Sequence, residues 1–318
     1  MRKRSLGRTG IEVSEISLGC WGLSGEGYGD VFPADAKETV AAALDAGCTL
    51  IEYAECYGPP EFEFDALLGE ALHGRARDSF QLAVRIGVDR ASSPARKRFD
   101  RKSLTEMLER TLKRLKLEAV DIVLLHNPVG ASLERSFEAL DTLASLRERG
   151  LARAMGASVG SIDAGRAALK QSVDVIELPY NALAPKLMHA LTPEMARRGV
   201  GILARSPLGY GVFADSWHAD RVFAQGDHRV DRWLPEELAR RIRQREVLRG
   251  FVRAPVTCLR EAAIRYVLMN PMISSVVVGS RTPLMATQNA LAGEEKPYLN
   301  NELFSTLAAR MEEEGIES

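Results

Sequence analysis

Residues 103–126 read SLTEMLERTLKRLKLEAVDIVLLH, a stretch in which a helical pattern runs directly into an apolar strand. From Ser103 to Leu115 the apolar residues recur every three or four positions, which is typical of an amphipathic helix. From Asp121 to Leu125 they form a short continuous run, which indicates a strand buried on both faces. A helix followed by such a strand is the repeating unit of a parallel sheet.

The same alternation extends over most of the chain. Apolar runs predict seven further strands, at Glu15–Leu18, Thr49–Ile51, Gln81–Val84, Ala152–Met155, Val173–Leu178, Val200–Leu203 and Ser274–Val278. Helical patterns also occur at Asp35–Ala46, Phe64–Leu72, Leu133–Arg149 and Ser161–Lys170. Eight units without a linker or a change in composition favour a closed (β/α)8 barrel, a TIM barrel, over two doubly wound domains. We therefore expect residues 1–318 to form a single domain.

Two regions lie outside this repeat. Arg4–Val13 contains the turn residues Gly7-Arg8-Thr9-Gly10 and predicts a β-hairpin that precedes the barrel. Gly209–Pro255 is a long insertion after the seventh strand, with a helical pattern at Pro235–Arg249. It also carries four large aromatic residues: Phe213, Trp217, Phe223 and Trp233. Because the insertion begins at the end of the barrel that carries active sites, it is either an aromatic lid or an ordinary helical excursion.

Composition excludes several classes of protein. The 42 Lys and Arg residues balance 43 Asp and Glu residues, so the net charge of −1 gives no global field that would attract nucleic acid or an anionic membrane. We find no secretory leader and no apolar stretch of membrane-spanning length. The four widely spaced cysteines are too few for a disulfide framework and predict reduced thiols in a cytoplasmic protein.

Familiar nucleotide and metal motifs are missing from the sequence. Gly25-Glu26-Gly27-Tyr28-Gly29 is nearest to a Rossmann fingerprint, but its third glycine is misplaced and Asp30–Pro33 follows where a helix should open. We interpret it as a glycine-rich loop. The sequence has no P-loop, HExxH or GxSxG motif and no Cys/His cluster with zinc spacing, so we predict no metal site.

Four polar residues stand at or just beyond the ends of successive predicted strands. Glu52 closes the second strand, Tyr57 follows five residues later, Arg85 closes the third strand and His126 closes the fourth. A barrel would bring all four together. They would supply a phenol that exchanges a proton, a cation that lowers its pKa, a carboxylate that holds the cation and an imidazole that binds a substrate oxygen.

At this point the sequence resembles the aldo-keto reductases over nearly its whole length. The resemblance rests on Leu6–Ser14 with Leu18–Gly22, Gly47–Gly58, Ser103–His126, Ser206–Leu208, Phe223–Arg229 and Gly279–Asn289. It implies reduction of a small-molecule aldehyde or ketone, or oxidation of the alcohol, by NADP(H), with Tyr57 as general acid/base and His126 beside it. The implied cofactor-binding residues are Trp21, Ser158, Glu177, Arg205, Ser206, Leu208, Gly279, Ser280, Arg281, Gln288 and Asn289. Independently, a cationic Arg281 near a helix start suits a phosphate.

The sequence departs from the family pattern at the site itself. Glu52 stands where the family has aspartate, and Arg85 stands where it has lysine; Val159 and Glu177 replace the usual asparagine and glutamine. The Glu–Arg pair keeps the charges of an Asp–Lys pair on longer arms. Because arginine tends to bind a carboxylate bidentately, Arg85 is expected either beside Tyr57 or turned back onto Glu52.

Three functions follow from these residues. The first is the NADP(H)-dependent oxidoreductase. The second is a non-redox dehydratase, lyase or isomerase that uses Tyr57 and His126 with an extra carboxylate from Glu52 or Glu177. The third is a nucleotide-binding regulatory protein without turnover. The substrate and the oligomeric state are left open by the sequence.

Overall fold

The computed structural model describes residues 1–58, 64–90, 95–135, 138–293 and 299–317, and its centre is a closed barrel of eight parallel strands. The strands of the chain are β1 (Lys3–Ser5), β2 (Glu12–Ser14), β3 (Ile16–Gly19), β4 (Leu50–Ala54), β5 (Gln81–Ile86), β6 (Val88–Asp89), β7 (Arg96–Lys97), β8 (Val120–His126), β9 (Ala152–Ser158), β10 (Val175–Pro179), β11 (Gly201–Arg205) and β12 (Ser275–Gly279). The barrel order is β3-β4-β5-β8-β9-β10-β11-β12, and β12 pairs back to β3. The predicted (β/α)8 barrel is confirmed, with strand bounds that differ from the predicted ones by up to three residues.

Helices surround the barrel: α1 (Pro33–Asp45), α2 (Phe64–Leu72), α3 (Arg101–Leu115), α4 (Gly130–Arg135), α5 (Glu138–Glu148), α6 (Ile162–Leu169), α7 (Lys186–Arg198), α8 (Arg229–Arg232), α9 (Pro235–Arg249), α10 (Leu259–Leu268), α11 (Pro283–Ala290) and α12 (Asn301–Glu313). The predicted helix Leu133–Arg149 corresponds to α4 and α5. Its residues 136–137 lie outside the described part of the chain.

Helix α3 shows why the opening stretch folds as it does. Asp100 Oδ1 accepts a hydrogen bond from the Ser103 N–H at 3.0 Å and so caps the first turn. Lys116 adopts a φ of +57°, which ends the helix. The periodic apolar residues are buried against the barrel, where each leucine side chain contributes about 2 kcal/mol; they are Leu104, Met107, Leu108, Leu112 and Leu115.

The predicted hairpin, β1 and β2, closes the lower end of the barrel, where the strands begin. Its apolar residues pack with the inward-facing side chains of the barrel strands; they are Leu6, Ile11 and Val13. Gly7 has a φ of +55°, and a Cβ there would lie 2.3 Å from the backbone nitrogen of Gly201. Only glycine therefore allows the hairpin to approach the start of β11 so closely.

The insertion after β11 divides into two parts. Residues 209–232 lie at the upper end, where the strands finish, whereas α9 packs against α10 and α12. The buried Arg245 of α9 joins the parts, because its guanidinium donates to the carbonyl oxygens of Val212, Ala214 and Trp217 at 2.6–2.7 Å. Helix α9 is thus a helical excursion packed on the barrel's outer helices, whereas an aromatic lid stays a prediction.

Among the residues that the structure describes, no helix is long and apolar enough to cross a membrane.

Candidate active site

The upper end of the barrel brings the four predicted polar residues together. Glu52 lies within β4, which continues two residues past it; Arg85 lies in β5, and His126 is the last residue of β8. Tyr57 follows β4, and its ring centroid lies 6.5 Å from that of His126. Parallel strands that finish at one rim explain this convergence.

Arg85 contacts both Glu52 and Tyr57, whereas the sequence predicted a contact with one or the other. Its Nε lies 2.5 Å from Glu52 Oε1, while its Nη2 donates a hydrogen bond to the Tyr57 hydroxyl. Arg85 and Glu52 are both buried. The longer arms of the Glu–Arg pair thus allow one guanidinium to hold a carboxylate and to stay on the phenol oxygen, where a cation stabilises the phenolate.

A second carboxylate lies near the same nitrogen of Arg85. Glu177 Oε2 is 3.7 Å from Arg85 Nε, and the Glu177 side chain is fully buried. Burial, against the opposing charge of Arg85 and together with the like charge of Glu177, raises the pKa of Glu52 to about 7. Burial alone would lower the pKa of Arg85, but the two glutamates raise it, so the guanidinium stays charged.

His126 is held as a neutral imidazole. Burial lowers its pKa well below the ordinary value, and the cations Arg85 and Arg205 lower it further. Its Nδ1 lies 3.5 Å from Cys56 Sγ. Burial raises the pKa of that thiol to about 12, so the thiol keeps its proton. A neutral imidazole next to a phenol is suited to bind a carbonyl oxygen.

Backbone strain is concentrated at the same rim. Four non-glycine residues of the described chain have a positive φ, and three of them surround the site: Asn127 at 48°, Ser206 at 58° and Tyr210 at 58°. Such conformations cost about 1–3 kcal/mol each and collect at functional sites.

A cavity of about 560 Å³ opens above these residues. Of the predicted cofactor-binding residues, six line it: Trp21, Arg205, Ser206, Leu208, Gly279 and Arg281. The other five do not. Ser158 and Glu177 are fully buried beneath it, Ser280 and Asn289 are buried and hydrogen-bonded to each other at 3.0 Å, and Gln288 is exposed on α11.

Arg281 precedes α11, as its sequence position predicted, but its guanidinium also holds the glycine-rich loop. Nη1 donates to the carbonyl oxygen of Tyr28 at 2.7 Å, and Nη2 donates to those of Gly29 and Asp30 at 3.0 and 2.9 Å. Residues 25–30 form a loop rather than a helix start, in agreement with our rejection of a Rossmann fingerprint.

The aromatic residues at the cavity differ from those that the lid hypothesis named. Phe213 and Trp217 are buried in the core, and the cavity is lined instead by Tyr28 and Tyr210, together with Arg229 and Arg232 of the insertion. Tyr210 was not predicted as a site residue. It could have been identified from its position four residues after Ser206, in the loop that leaves β11.

Arg90 and Asn127 are two further cavity residues that the sequence analysis missed. Arg90 donates to Gly58 O at 2.5 Å and forms an ion pair with Glu26. Asn127 directly follows His126, which was the signal that could have identified it. Within the described ranges, no three His, Cys, Asp or Glu side chains are grouped to hold a metal ion.

A model of the aldo/keto reductase family matches residues 15–309 of the sequence. The chain belongs to the aldo/keto reductase family. This aldo-keto reductase is 30% identical to the aldo-keto reductase YhdN of Bacillus subtilis over 234 residues, which cover 72% of this chain and 69% of that protein. It is 27% identical to a probable voltage-gated potassium channel subunit beta of Oryza sativa, over 97% of this chain and 96% of that one.

Solved structures agree with the fold of this aldo-keto reductase. The holo form of an aldo-keto reductase from Bacillus halodurans has a TM-score of 0.80 at 20% identity, over 97% of this chain and 96% of that one. A glycerol dehydrogenase from Gluconobacter oxydans has a TM-score of 0.82 at 19% identity, over 99% and 97%. The family consists of oxidoreductases that act on small-molecule carbonyl compounds with nicotinamide cofactors.

The cavity of this aldo-keto reductase has room and polar groups for such a cofactor. A Cβ built on Gly279 meets nothing within 4 Å, so the end of β12 leaves open space. Among the described residues that line the cavity, the buried Arg281 Nε and Arg205 Nε have no hydrogen-bond partner. Buried polar groups are normally paired, so these atoms fit a polar ligand.

Proposed function

We propose that this aldo-keto reductase reduces an aldehyde or ketone of a small molecule with NADPH, or oxidises the corresponding alcohol with NADP⁺. The observation that carries the proposal is the Arg85 guanidinium, which holds Glu52 and donates to the Tyr57 hydroxyl at the same time. The two departures from the family pattern therefore leave a cation on the phenol oxygen, where proton transfer requires it.

The reduction requires two transfers: a hydride to the carbonyl carbon and a proton to the carbonyl oxygen. When bound, NADPH supplies a hydride to the carbonyl carbon and is oxidised to NADP⁺. The Tyr57 hydroxyl gives its proton to the carbonyl oxygen, so that the C=O π bond is replaced by one C–H and one O–H bond. The Arg85 guanidinium stabilises the phenolate that remains, and solvent returns the proton. Neutral His126 donates a hydrogen bond to the same oxygen and orients it.

The preference for NADP(H) over NAD(H) rests on Arg281. Its Nε has no partner among the described residues and lies at the N-terminal side of α11, where a 2′-phosphate would find a positive charge. We further propose that residues 1–318 form a single domain and that the protein is cytoplasmic. The four free thiols support the cytoplasmic location.

Cofactor titration tests the proposal directly. NADPH and NADH are titrated separately into the wild-type protein and into Arg281→Ala, with quenching of tryptophan fluorescence and energy transfer to the bound nicotinamide as readouts; Trp21 lines the cavity. We expect Arg281→Ala to raise the Kd for NADPH about tenfold or more and the Kd for NADH much less. Arg101→Ala, an exposed arginine on α3, is the matched control. Absence of binding of either nucleotide at millimolar concentration would exclude a redox function.

A carbonyl screen then tests catalysis. Arg85→Lys and Glu52→Asp restore the residues that are usual in the family, but they shorten a pair that here spans 2.5 Å. We expect Arg85→Lys alone to lower kcat about tenfold or more, because the shorter ammonium cannot hold both partners. The double variant should recover part of that loss.

One observation favours a second candidate, a non-redox dehydratase or isomerase. Burial keeps the pKa of Glu52 at about 7, so a carboxylic acid is present beside Tyr57 at neutral pH. Stoichiometry separates the two functions: a reductase consumes one NADPH for each product, whereas an isomerase or dehydratase forms product without a change in absorbance at the nicotinamide band.

A further inference from the structure

The surroundings of His126 are strongly cationic. After burial, four positive groups lower its pKa: Arg85, Arg205, Lys97 and Arg90. Two of them have carboxylate partners, since Arg85 lies between Glu52 and Glu177 and Arg90 pairs with Glu26. The other two cations, Arg205 and Lys97, have no ion pair with a carboxylate among the described residues.

Arg205 and Lys97 contact neutral oxygens and converge on one residue, Asn127. Arg205 Nη2 donates to Asn127 Oδ1 at 3.2 Å and to the Val159 carbonyl oxygen at 3.4 Å. Lys97 Nζ donates to the Asn127 carbonyl oxygen. Neither cation has an acidic partner among the residues that the structure describes. Two cations without a direct carboxylate contact thus lie next to the residue that follows His126.

This arrangement is incomplete in a way that points to a ligand. Arg205 Nε is buried and has no hydrogen-bond partner in the described part of the chain, although Arg205 lines the cavity. Asn127 lines the cavity too and is held at a φ of 48°. A guanidinium with an unused donor and long bonds to neutral oxygens is suited to receive a carboxylate, which binds such a fork in charge-assisted hydrogen bonds.

We propose that the substrate carries a carboxylate in addition to its carbonyl group, and that Arg205 binds this carboxylate while Tyr57 and His126 receive the carbonyl oxygen. Arg205 is thereby assigned to the substrate and not to the cofactor, as the family resemblance had implied. The exposed Lys97 adds positive charge next to Asn127. The proposal rests on the reductase function proposed above and names its class of substrate: an aldehyde acid or a keto acid.

The topology separates this anion site from the one expected for the cofactor 2′-phosphate. Lys97 lies on β7, between β5 and β8, and Asn127 follows β8, whereas Arg281 follows β12. In the barrel, β4 and β3 stand between β5 and β12. A cofactor whose 2′-phosphate lies at Arg281 therefore leaves the β5–β8 side of the upper rim free; Asn127 lines the cavity there, and the exposed Lys97 donates to its carbonyl oxygen from outside the lining.

The experiment compares acids with their own methyl esters. Glyoxylate, succinate semialdehyde and 4-carboxybenzaldehyde are each paired with the methyl ester, and kcat/KM is measured at saturating NADPH. We expect the acid-to-ester ratio of the best pair to be about ten or more in the wild-type enzyme. Arg205→Gln should lower that ratio about tenfold through KM, and Lys97→Gln should lower it severalfold, with partial rescue by Arg205→Lys. Lys113→Gln, an exposed lysine on α3, should keep the wild-type ratio.

Two results would overturn the inference. One is an acid-to-ester ratio near one or below for all pairs in the wild-type enzyme. The other is a loss in Arg205→Gln that is equal for acids and esters and matches a rise in the Kd for NADPH, because the arginine would then bind cofactor phosphate. If neither acids nor esters are reduced, the proposed reductase function is wrong, but the anion site is not yet tested. Calorimetric titration with succinate and succinamide then tests that site. The anion site requires that succinate bind more tightly than succinamide and that Arg205→Gln remove this difference in affinity.

Discussion

The two ends of the barrel treat buried charge in opposite ways. At the lower end, Asp121 accepts from Arg77 at 2.8 Å, from Arg153 at 2.9 Å and from the Leu82 N–H at 2.9 Å. At the upper end, both oxygens of the fully buried Glu177 have no hydrogen-bond donor among the described residues. Both carboxylates lie at the barrel wall, but only one is satisfied.

This difference in hydrogen bonding indicates that the two ends of the barrel serve different roles, one in stability and the other in ligand binding. A carboxylate that is fully hydrogen-bonded contributes to stability, whereas one that lacks donors is costly and persists where function requires it. The lower end therefore holds the barrel together, and the upper end keeps polar groups available to ligands. Substitutions at the two ends should differ in what they change, and in one case in the sign of the change.

The largest effect is expected at the upper end, for Tyr57→Phe. Removal of the hydroxyl that Arg85 contacts should lower kcat for carbonyl reduction about a thousandfold, which is the usual contribution of a general acid. Stability should change little. Stopped-flow and steady-state assays at the nicotinamide absorbance measure the rate. Tyr53→Phe, a buried tyrosine outside the cavity lining, is the matched control. A loss below about tenfold would remove Tyr57 from the chemistry.

The lower end should respond through stability. Asp121→Ala leaves the Leu82 N–H and two guanidinium groups without their acceptor, so we expect the free energy of unfolding to fall by about 3 kcal/mol. Asp45→Ala removes an exposed carboxylate whose pair with Arg75 spans 2.8 Å, and it should cost about 0.5 kcal/mol or less. Urea denaturation followed by circular dichroism compares them. Equal losses in the free energy of unfolding for the two variants would show that the buried hydrogen bonds of Asp121 stabilise the protein no more than an exposed ion pair does.

The third effect depends on pH. Folded Glu52 keeps its proton up to about pH 7, whereas the unfolded carboxyl releases it near its ordinary value of 4.5. Between these values the native state binds more protons than the unfolded state, so the Glu52 contribution to the free energy of unfolding decreases as pH rises. Glu52→Gln lacks this decrease. Its stability relative to wild type should therefore grow by about 2–3 kcal/mol between pH 5 and 8, since one pKa unit corresponds to about 1.4 kcal/mol.

Denaturation of both proteins at several pH values measures that difference, and the contribution of His126 cancels because both proteins contain it. A stability difference that is constant with pH would mean that Glu52 is ionised throughout.

The smallest effect has opposite signs at the two ends. Glu177→Gln removes a buried carboxylate that lacks donors and keeps its volume, so we expect a gain in stability of about 1 kcal/mol. The matched change at the lower end is Glu15→Gln, which breaks pairs with Arg2 and Arg4 at 2.8 and 2.6 Å and should cost about 1–2 kcal/mol. Thermal unfolding resolves both. A loss of stability in Glu177→Gln would show that the ion pair with Arg85 at 3.7 Å outweighs the missing hydrogen bonds.

The fold was largely accessible from sequence, because strand burial and helix periodicity are local patterns. All eight barrel strands and the hairpin followed from them, and α9 begins and ends at the predicted residues Pro235 and Arg249. Five helices of the described chain were given no bounds by the sequence patterns: α7, α8, α10, α11 and α12. Helix α7 shows the reason, since it contains an internal proline, Pro193, which ordinarily predicts an interruption.

The site was accessible only as a set of residues. That Glu52, Tyr57, Arg85 and His126 converge follows from the order of parallel strands. The double contact of Arg85 does not follow, because it depends on the path of one long side chain between two others. Arg281 illustrates the same limit: its position before α11 was evident, whereas its bonds to the glycine-rich loop join segments about 250 residues apart, at |i−j| of 251–253.

The hairpin that closes the lower end also bears on proton transfer. Leu6, Ile11 and Val13 pack against the inward-facing side chains of the barrel strands, so apolar residues cover that end. In the proposed reaction, the proton that Tyr57 gives up is therefore expected to return through the upper opening, which substrate and product would also use. Proton uptake and product release then share one passage, and the hydroxyl is restored after that passage has cleared.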